Sequence, residues 1–138
     1  MGDTFSTSLT FTETHLVLAG MLYADAVPLH TNEEFSRRTH FGGRIVPGPL
    51  TSGFAAVRLG MYFGGRAVGL LELTERYKDA VQMGDRVTAK WTIAELHPKP
   101  RLKGGIVILD GVCTNQKETV VLELRATCIV ENLEENMS

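Results

Sequence analysis

Asp25 and His30 lie five residues apart in the chain, with Pro28 between them. The proline ring fixes the φ of Pro28 and pushes Val27 towards an extended backbone, so the link between the two side chains is predicted to be bent rather than helical. A bent link can direct both side chains at one point. A carboxylate and an imidazole that converge on one water molecule form an acid/base pair.

The residues that follow read F-G-G-R-I-V-P-G-P-L, which predicts a loop ending in the start of a helix. Gly48 is the expected N-cap, and Pro49 is the expected first helical residue. The free N–H groups at such a start favour a negatively charged oxygen. Because proline has no N–H, the donor to that oxygen is expected to be Gly48 or Leu50.

These two blocks resemble the MaoC-like family, the (R)-specific enoyl-CoA hydratases and dehydratases of the hotdog fold. The family pattern is D-x-N-P-L-H, followed further along the chain by F-x-x-x-I-x-H-G-M-L. Two positions differ, because Val27 stands where the family has asparagine and Pro47 where it has histidine. The matching positions are Asp25, Pro28, Leu29, His30, Phe41, Ile45, Gly48 and Leu50.

The resemblance implies a lyase that hydrates a 2-enoyl-CoA thioester or dehydrates a 3-hydroxyacyl-CoA. It implies that Asp25 and His30 activate one water molecule, and that the backbone N–H of Gly48 stabilises the thioester oxygen. The reaction needs no metal or redox cofactor, and coenzyme A enters as part of the substrate. The implied substrate-binding residues are Phe41, Ile45, Leu50, Thr51, Ser52 and Ala56.

Other functions stay open at this stage. One alternative is a hotdog thioesterase. Many of these enzymes place a catalytic Asp or Glu on the central helix, and residues 49–63 contain neither, which argues against that type. A noncatalytic acyl-thioester-binding or assembly subunit is compatible with Val27 and Pro47. The pair itself has a structural alternative, in which Asp25 caps a turn and His30 is merely buried.

The composition is that of an ordinary globular protein, with 138 residues of which 43% are hydrophobic and 22% charged. We predict one MaoC-like hotdog domain over residues 1–138. The net charge of −2 gives no electrostatic basis for binding nucleic acid or an anionic membrane. Since no apolar run reaches membrane length and no leader pattern is present, a cytoplasmic protein is predicted. Cys113 and Cys128 have no metal-site spacing and are predicted to be reduced packing residues.

Residue periodicity predicts the elements that position the active segment. A helix over 49–63 is apolar round most of its circumference, which predicts that it is buried. Helices are also predicted over 15–23, with Thr12 as N-cap, and over 33–39, with Asn32 as N-cap. The predicted strands are 4–11, 67–77, 86–96, 106–114 and 119–130.

One all-round apolar helix followed by four long strands requires an antiparallel sheet that curls about the helix. The resemblance identifies this α+β arrangement as the hotdog fold. Members of that family nearly always pair edge to edge, and pairing removes the exposed strand edges. The expected partners are therefore an acyl-CoA and a second copy of the chain, as a homodimer or a higher assembly of dimers.

Overall fold

Five strands form one antiparallel sheet in the computed structural model, which describes residues 1–24 and 27–131. The sheet order is β1-β3-β4-β5-β2, so that β1 and β2 lie at its two edges. Every neighbouring pair is antiparallel. The strands are β1 (Thr4–Thr10), β2 (Ala67–Tyr77), β3 (Arg86–Lys99), β4 (Gly104–Thr114) and β5 (Val120–Glu131).

The described residues also form three shorter α-helices and one long one. The short helices lie between β1 and the long helix, and the long helix leads through a 3₁₀ turn into β2. This order places the predicted active segment between the first strand and the central helix. The helices are α1 (Glu13–Tyr23), α2 (Pro28–Thr31), α3 (Glu33–Arg37) and α4 (Gly48–Phe63).

Helix α4 packs on one face of the sheet, which carries the core. Alternate residues of β3, β4 and β5 are buried, as the two-residue period of a strand requires. Trp91 of β3 donates a hydrogen bond from Nε1 to the carbonyl oxygen of Ala55, 2.9 Å away, and so ties the sheet to the middle of α4. Gly111 makes room for this indole, because a Cβ there would lie 2.7 Å from Trp91 Cζ3. The curled sheet around one long helix agrees with the predicted fold.

The prediction that α4 is buried around most of its circumference is wrong for a single chain. Val57 and Met61 expose 56% and 64% of their surface. The sheet covers only one side of the helix, where Phe54 and Leu59 are buried. The apolar residues of α4 indicate that both sides of the helix are disfavoured in water. They do not indicate which side is covered by the sheet of the same chain.

The hairpin between β3 and β4 is longer than predicted. Strand β3 continues through Pro98 to Lys99, and Pro98 pairs with Gly105. Proline is tolerated there because β1 pairs with β3 only over Arg86–Thr92. Beyond that range the outer side of β3 is an edge, where a missing N–H removes no ladder hydrogen bond.

No helix in the described ranges 1–24 and 27–131 is long and apolar enough to cross a membrane.

Candidate active site

Asp25, the predicted carboxylate of the pair, lies outside the described residues. His30 lies on α2, a single helical turn whose N-cap is Val27. Val27 is extended, with φ −64° and ψ 123°, as expected before a proline. The prediction of a non-helical link is nevertheless wrong from Pro28 onwards. Pro28 occupies the first helical position, where its missing N–H costs no hydrogen bond.

Helix α3 holds this turn in place through a buried serine. Ser36 is fully buried, and its Oγ lies 3.2 Å from the carbonyl oxygen of Pro28 and 3.0 Å from that of Leu29. These carbonyls belong to the turn that carries His30. Ser36 therefore fixes the position of the backbone from which the His30 side chain extends. Ser36 was not predicted from the sequence, because a lone serine in a short charged helix has no pattern that distinguishes it.

The main chain of Ile45 sets the tautomer of the neutral His30 imidazole. Nδ1 of His30 lies 2.8 Å from the carbonyl oxygen of Ile45. A carbonyl oxygen can only accept, so Nδ1 carries the proton, and Nε2 of the neutral imidazole keeps its lone pair. The N–H of Ile45 donates in turn to the carbonyl of Leu29, 3.2 Å away. In this tautomer Nε2 is the ring nitrogen of His30 that can accept a proton.

Arg44 anchors the loop that carries Ile45. Its guanidinium bonds Glu13 of α1 at 3.1 Å and Glu33 of α3 at 3.0 Å, and only 10% of its side chain is exposed. The hydrogen bond from Arg44 holds the pKa of Glu33 below its ordinary value, although burial opposes the shift. Burial disfavours the charged form of Arg44, but the bonds to the two carboxylates raise its pKa overall.

We expect Glu33→Gln to lower the melting temperature at neutral pH, with a difference that disappears in acid. The folded-state pKa of Glu33 lies below the ordinary 4.5. The charged form therefore stabilises the fold above that pH, and the stabilisation is lost as the pH falls through the lower folded pKa. Thermal unfolding followed by circular dichroism across this range measures the effect.

Glu34→Gln is the matched control, because Glu34 pairs with Arg38 at a position where both side chains are mostly exposed. Its melting temperature should stay close to that of the parent. Equal behaviour of the two variants across the pH range would contradict the role assigned to the Arg44 anchor.

Helix α4 begins one residue earlier than predicted. Pro47 is its N-cap, with φ −56° and ψ 135°, and Gly48 is the first helical residue. The carbonyl of Pro47 accepts the N–H groups of Leu50 at 3.0 Å and Thr51 at 3.4 Å. The N–H of Gly48 donates to no group in the described part of the chain. Of the two donors that the sequence left open, Leu50 is occupied and Gly48 is free.

A cavity of about 440 Å³ lies at this helix start. Four of the predicted site residues line it: Phe41, Ile45, Gly48 and Thr51. Val46 also lines it, and the rest of its wall comes from distant parts of the chain, namely Tyr77, Lys78, Asp79, Ala80, Val81, Val121 and Leu122.

The other predicted substrate contacts lie elsewhere. Leu50 packs against the core. Ser52 is buried, with its Oγ 3.5 Å from the carbonyl oxygen of Pro49. Ala56 lines a second cavity, of about 240 Å³, between α4 and β2. His30 is not among the residues that line either cavity.

Tyr77, at the end of β2, packs on the first residue of α4. A Cβ at Gly48 would lie 2.8 Å from Tyr77 Cε1, so the ring can sit there only because position 48 is glycine. Burial raises the pKa of Tyr77, its hydrogen bond to Glu75 raises it further, and Ser52 lowers it. Tyr77 could not be predicted from the sequence, because only the fold brings the end of β2 to the start of α4.

Residues 2–114 match the family model described as the MaoC like domain. The chain belongs to the MaoC-like family. It is 32% identical over 129 residues to an (R)-specific enoyl-CoA hydratase of Rhodospirillum rubrum, a match that covers 94% of this chain and 86% of that protein. It is 35% identical over 95 residues to a 3-hydroxybutyryl-CoA dehydratase of Methylorubrum extorquens, covering 63% and 60% of the two chains.

The solved structure of the unliganded R-hydratase PhaJ1 from Pseudomonas aeruginosa superposes on this MaoC-like chain with a TM-score of 0.84. The superposition covers 95% of this chain and 81% of that one, at 20% identity. The predicted family and the predicted hotdog fold are therefore both confirmed. The described residues contain no group of three or more His, Cys, Asp or Glu side chains that could hold a metal ion.

Proposed function

We propose that this MaoC-like chain is a hydro-lyase that hydrates a 2-enoyl-CoA thioester or, in reverse, dehydrates a 3-hydroxyacyl-CoA. The two curated relatives, a hydratase and a dehydratase, support the reaction class. The observation that carries the proposal is the bond from His30 Nδ1 to the Ile45 carbonyl. Among the described residues no group bonds Nε2, so this nitrogen can take a proton from water.

Hydration requires a base that takes a proton from water as the oxygen attacks C3, and an acid that delivers a proton to C2. We assign to Nε2 of His30 the role of the base that takes the proton from water. Asp25 is assigned to the same water because the D-x-x-P-L-H motif pairs it with His30. Overall one water molecule adds across the double bond: its hydroxyl goes to C3, and the Asp25/His30 pair returns the proton taken from that water to C2, so that the pair ends in its starting state.

As the hydroxyl adds, negative charge moves onto the thioester oxygen. We assign the free N–H of Gly48 to that oxygen, because it points from the first turn of α4, where the helix dipole also favours negative charge. Phe41, Ile45 and Thr51 share its cavity and are proposed to contact the thioester and the first acyl carbons. Leu50, Ser52 and Ala56 are proposed to contact the acyl chain further along α4. The reaction uses no metal or redox cofactor, and coenzyme A is the proposed carrier.

The test is incubation with a panel of short linear, branched and dicarboxylic enoyl-CoA thioesters. Loss of the conjugated enoyl absorbance is followed beside a thiol reagent. Absorbance loss without thiol release is the expected result. Release of thiol would indicate a thioesterase, and tight calorimetric binding without turnover would indicate an acyl-thioester-binding subunit.

We propose further that the MaoC-like domain works as a homodimer joined through β2. This strand has no neighbour on its outer side among the described residues, and it exposes Val68, Leu70 and Leu71. The apolar surface of α4 at Val57 and Met61 is also exposed. A second copy would pair the strand edge and cover apolar surface that one chain leaves in water.

Leu71→Arg is expected to convert the dimer to a monomer, because a charge in the proposed interface would have to be desolvated without a partner. Light scattering coupled to gel filtration measures the mass. Ser6→Arg, on the exposed surface of the opposite edge strand β1, is the control and should remain dimeric. A dimer in Leu71→Arg with unchanged stability to dilution would contradict pairing through β2.

A further inference from the structure

Thr51 holds a buried hydroxyl without a hydrogen-bond partner. Among residues 1–24 and 27–131 it is the one buried side-chain oxygen or nitrogen in this state. The residue is 2% exposed and lines the cavity at the start of α4. A helical threonine commonly donates to the carbonyl four residues back. That carbonyl belongs to Pro47 and already accepts two N–H groups.

Thr51 follows Gly48 by one helical turn. Residues three apart lie on the same side of a helix, and their side chains lean back towards its N-terminus. Thr51 therefore lies on the side of α4 that carries Gly48, where glycine has no side chain and the Tyr77 ring packs. Gly48 and Thr51, which carry an N–H and a hydroxyl with no partner in the described residues, therefore both line one cavity at the positive end of the α4 dipole.

We infer that the hydroxyl of Thr51 donates a second hydrogen bond to the thioester oxygen, beside the Gly48 N–H, and is a catalytic residue of the hydration. This inference rests on the proposed function. The hydroxyl proton stays on Thr51, because this group stabilises the charge on the thioester oxygen and transfers no proton. The bond strengthens as the addition at C3 moves negative charge to the thioester oxygen, so its main effect falls on kcat.

A purely structural role for Thr51 gives the opposite expectation. Valine has nearly the same shape and would fill the same space. An unpaired buried hydroxyl destabilises a fold, so Thr51→Val should unfold at the same or a higher temperature than the parent. A structural role predicts loss of stability in this variant, whereas the donor role predicts loss of rate without loss of stability.

The experiment compares hydration of but-2-enoyl-CoA by the parent and by Thr51→Val, Thr51→Ser and Thr127→Val. We expect kcat to fall about 10²-fold in Thr51→Val, with a smaller change in KM. Thr51→Ser keeps the donor and should retain most of the rate. Thr127 is half-buried on β5 and does not line the cavity, so Thr127→Val should match the parent.

A second measurement uses calorimetry with a saturated acyl-CoA thioester and the matching S-alkyl-CoA thioether, which lacks the carbonyl. The parent should prefer the thioester, and Thr51→Val should lose part of that preference without losing affinity for the thioether. An unchanged kcat in Thr51→Val would overturn the inference and leave the proposed function standing. If the parent binds thioesters but does not hydrate them, the proposed function fails. In that case, an equal preference for the thioester in the parent and in Thr51→Val would overturn the Thr51 contact as well. Failure of the parent to bind any thioester would overturn both.

Discussion

His30→Ala is expected to lower kcat for enoyl-CoA hydration by about 10³-fold, because it removes the group assigned to the water proton. Asp25→Asn should cause a loss of similar size by removing the carboxylate on the same water. Each variant should keep a melting temperature near that of the parent. Among the described residues, the His30 side chain makes one bond, to the Ile45 carbonyl, and the bonds from Ser36 still hold its turn.

His40→Ala is the matched control for this pair. His40 lies in the same loop region, is exposed and contacts Phe41 with ring centroids 4.0 Å apart. It has no assigned part in the reaction, so its removal should leave kcat close to the parent value. Added imidazole should restore part of the rate of His30→Ala and none of the rate of Asp25→Asn. A hydration rate in His30→Ala equal to that of the parent would contradict the assignment of His30 as the base.

Gly48→Ala is expected to lower kcat by about 10²-fold, although it retains the N–H. The new Cβ would lie 2.8 Å from Tyr77 Cε1, so either the ring or the start of α4 must move. A misplacement of a catalytic group by about 1 Å can cost a rate factor of that size. Steady-state kinetics together with a melting curve separate the loss of rate from any loss of stability.

Two further variants test this explanation. Gly53→Ala lies on the same helix, and a Cβ there meets no atom within 4 Å, so it should keep the parent rate. Tyr77→Ala combined with Gly48→Ala removes the ring that causes the clash. If the clash causes the loss, the double variant should hydrate faster than Gly48→Ala alone. Equal rates for Gly48→Ala and Gly53→Ala would show that the helix start does not position the thioester.

Local rules of the backbone predicted much of the candidate site. The proline before His30 and the P-G-P run at the start of α4 act on their own neighbours, so the extended Val27 and the helix start near Gly48 could be read from the chain. The exposed Asn32 was predicted as an N-cap for the same reason, and its Oδ1 accepts the N–H of Phe35 at 2.9 Å.

The rest depends on contacts between distant residues. Tyr77, Val121 and Leu122 reach the cavity only through the register of β2 and β5, which no local pattern records. The exposed side of α4 illustrates a second limit. Its apolar residues show that water is disfavoured there, but the same pattern would arise from a sheet of this chain or from a second copy.

The buried sulfurs of β4 and β5 have a practical value for the assays. Burial raises the pKa of Cys113 to about 12 and that of Cys128 to about 11. Because the thiolate is the reactive form, neither should react quickly with a thiol reagent while the protein is folded at neutral pH. Any rapid reaction of the thiol reagent in the assay would therefore come from free coenzyme A. Slow labelling at long times would instead report how often the paired strands β4 and β5 separate, and its rate would measure the free energy of that opening without denaturant.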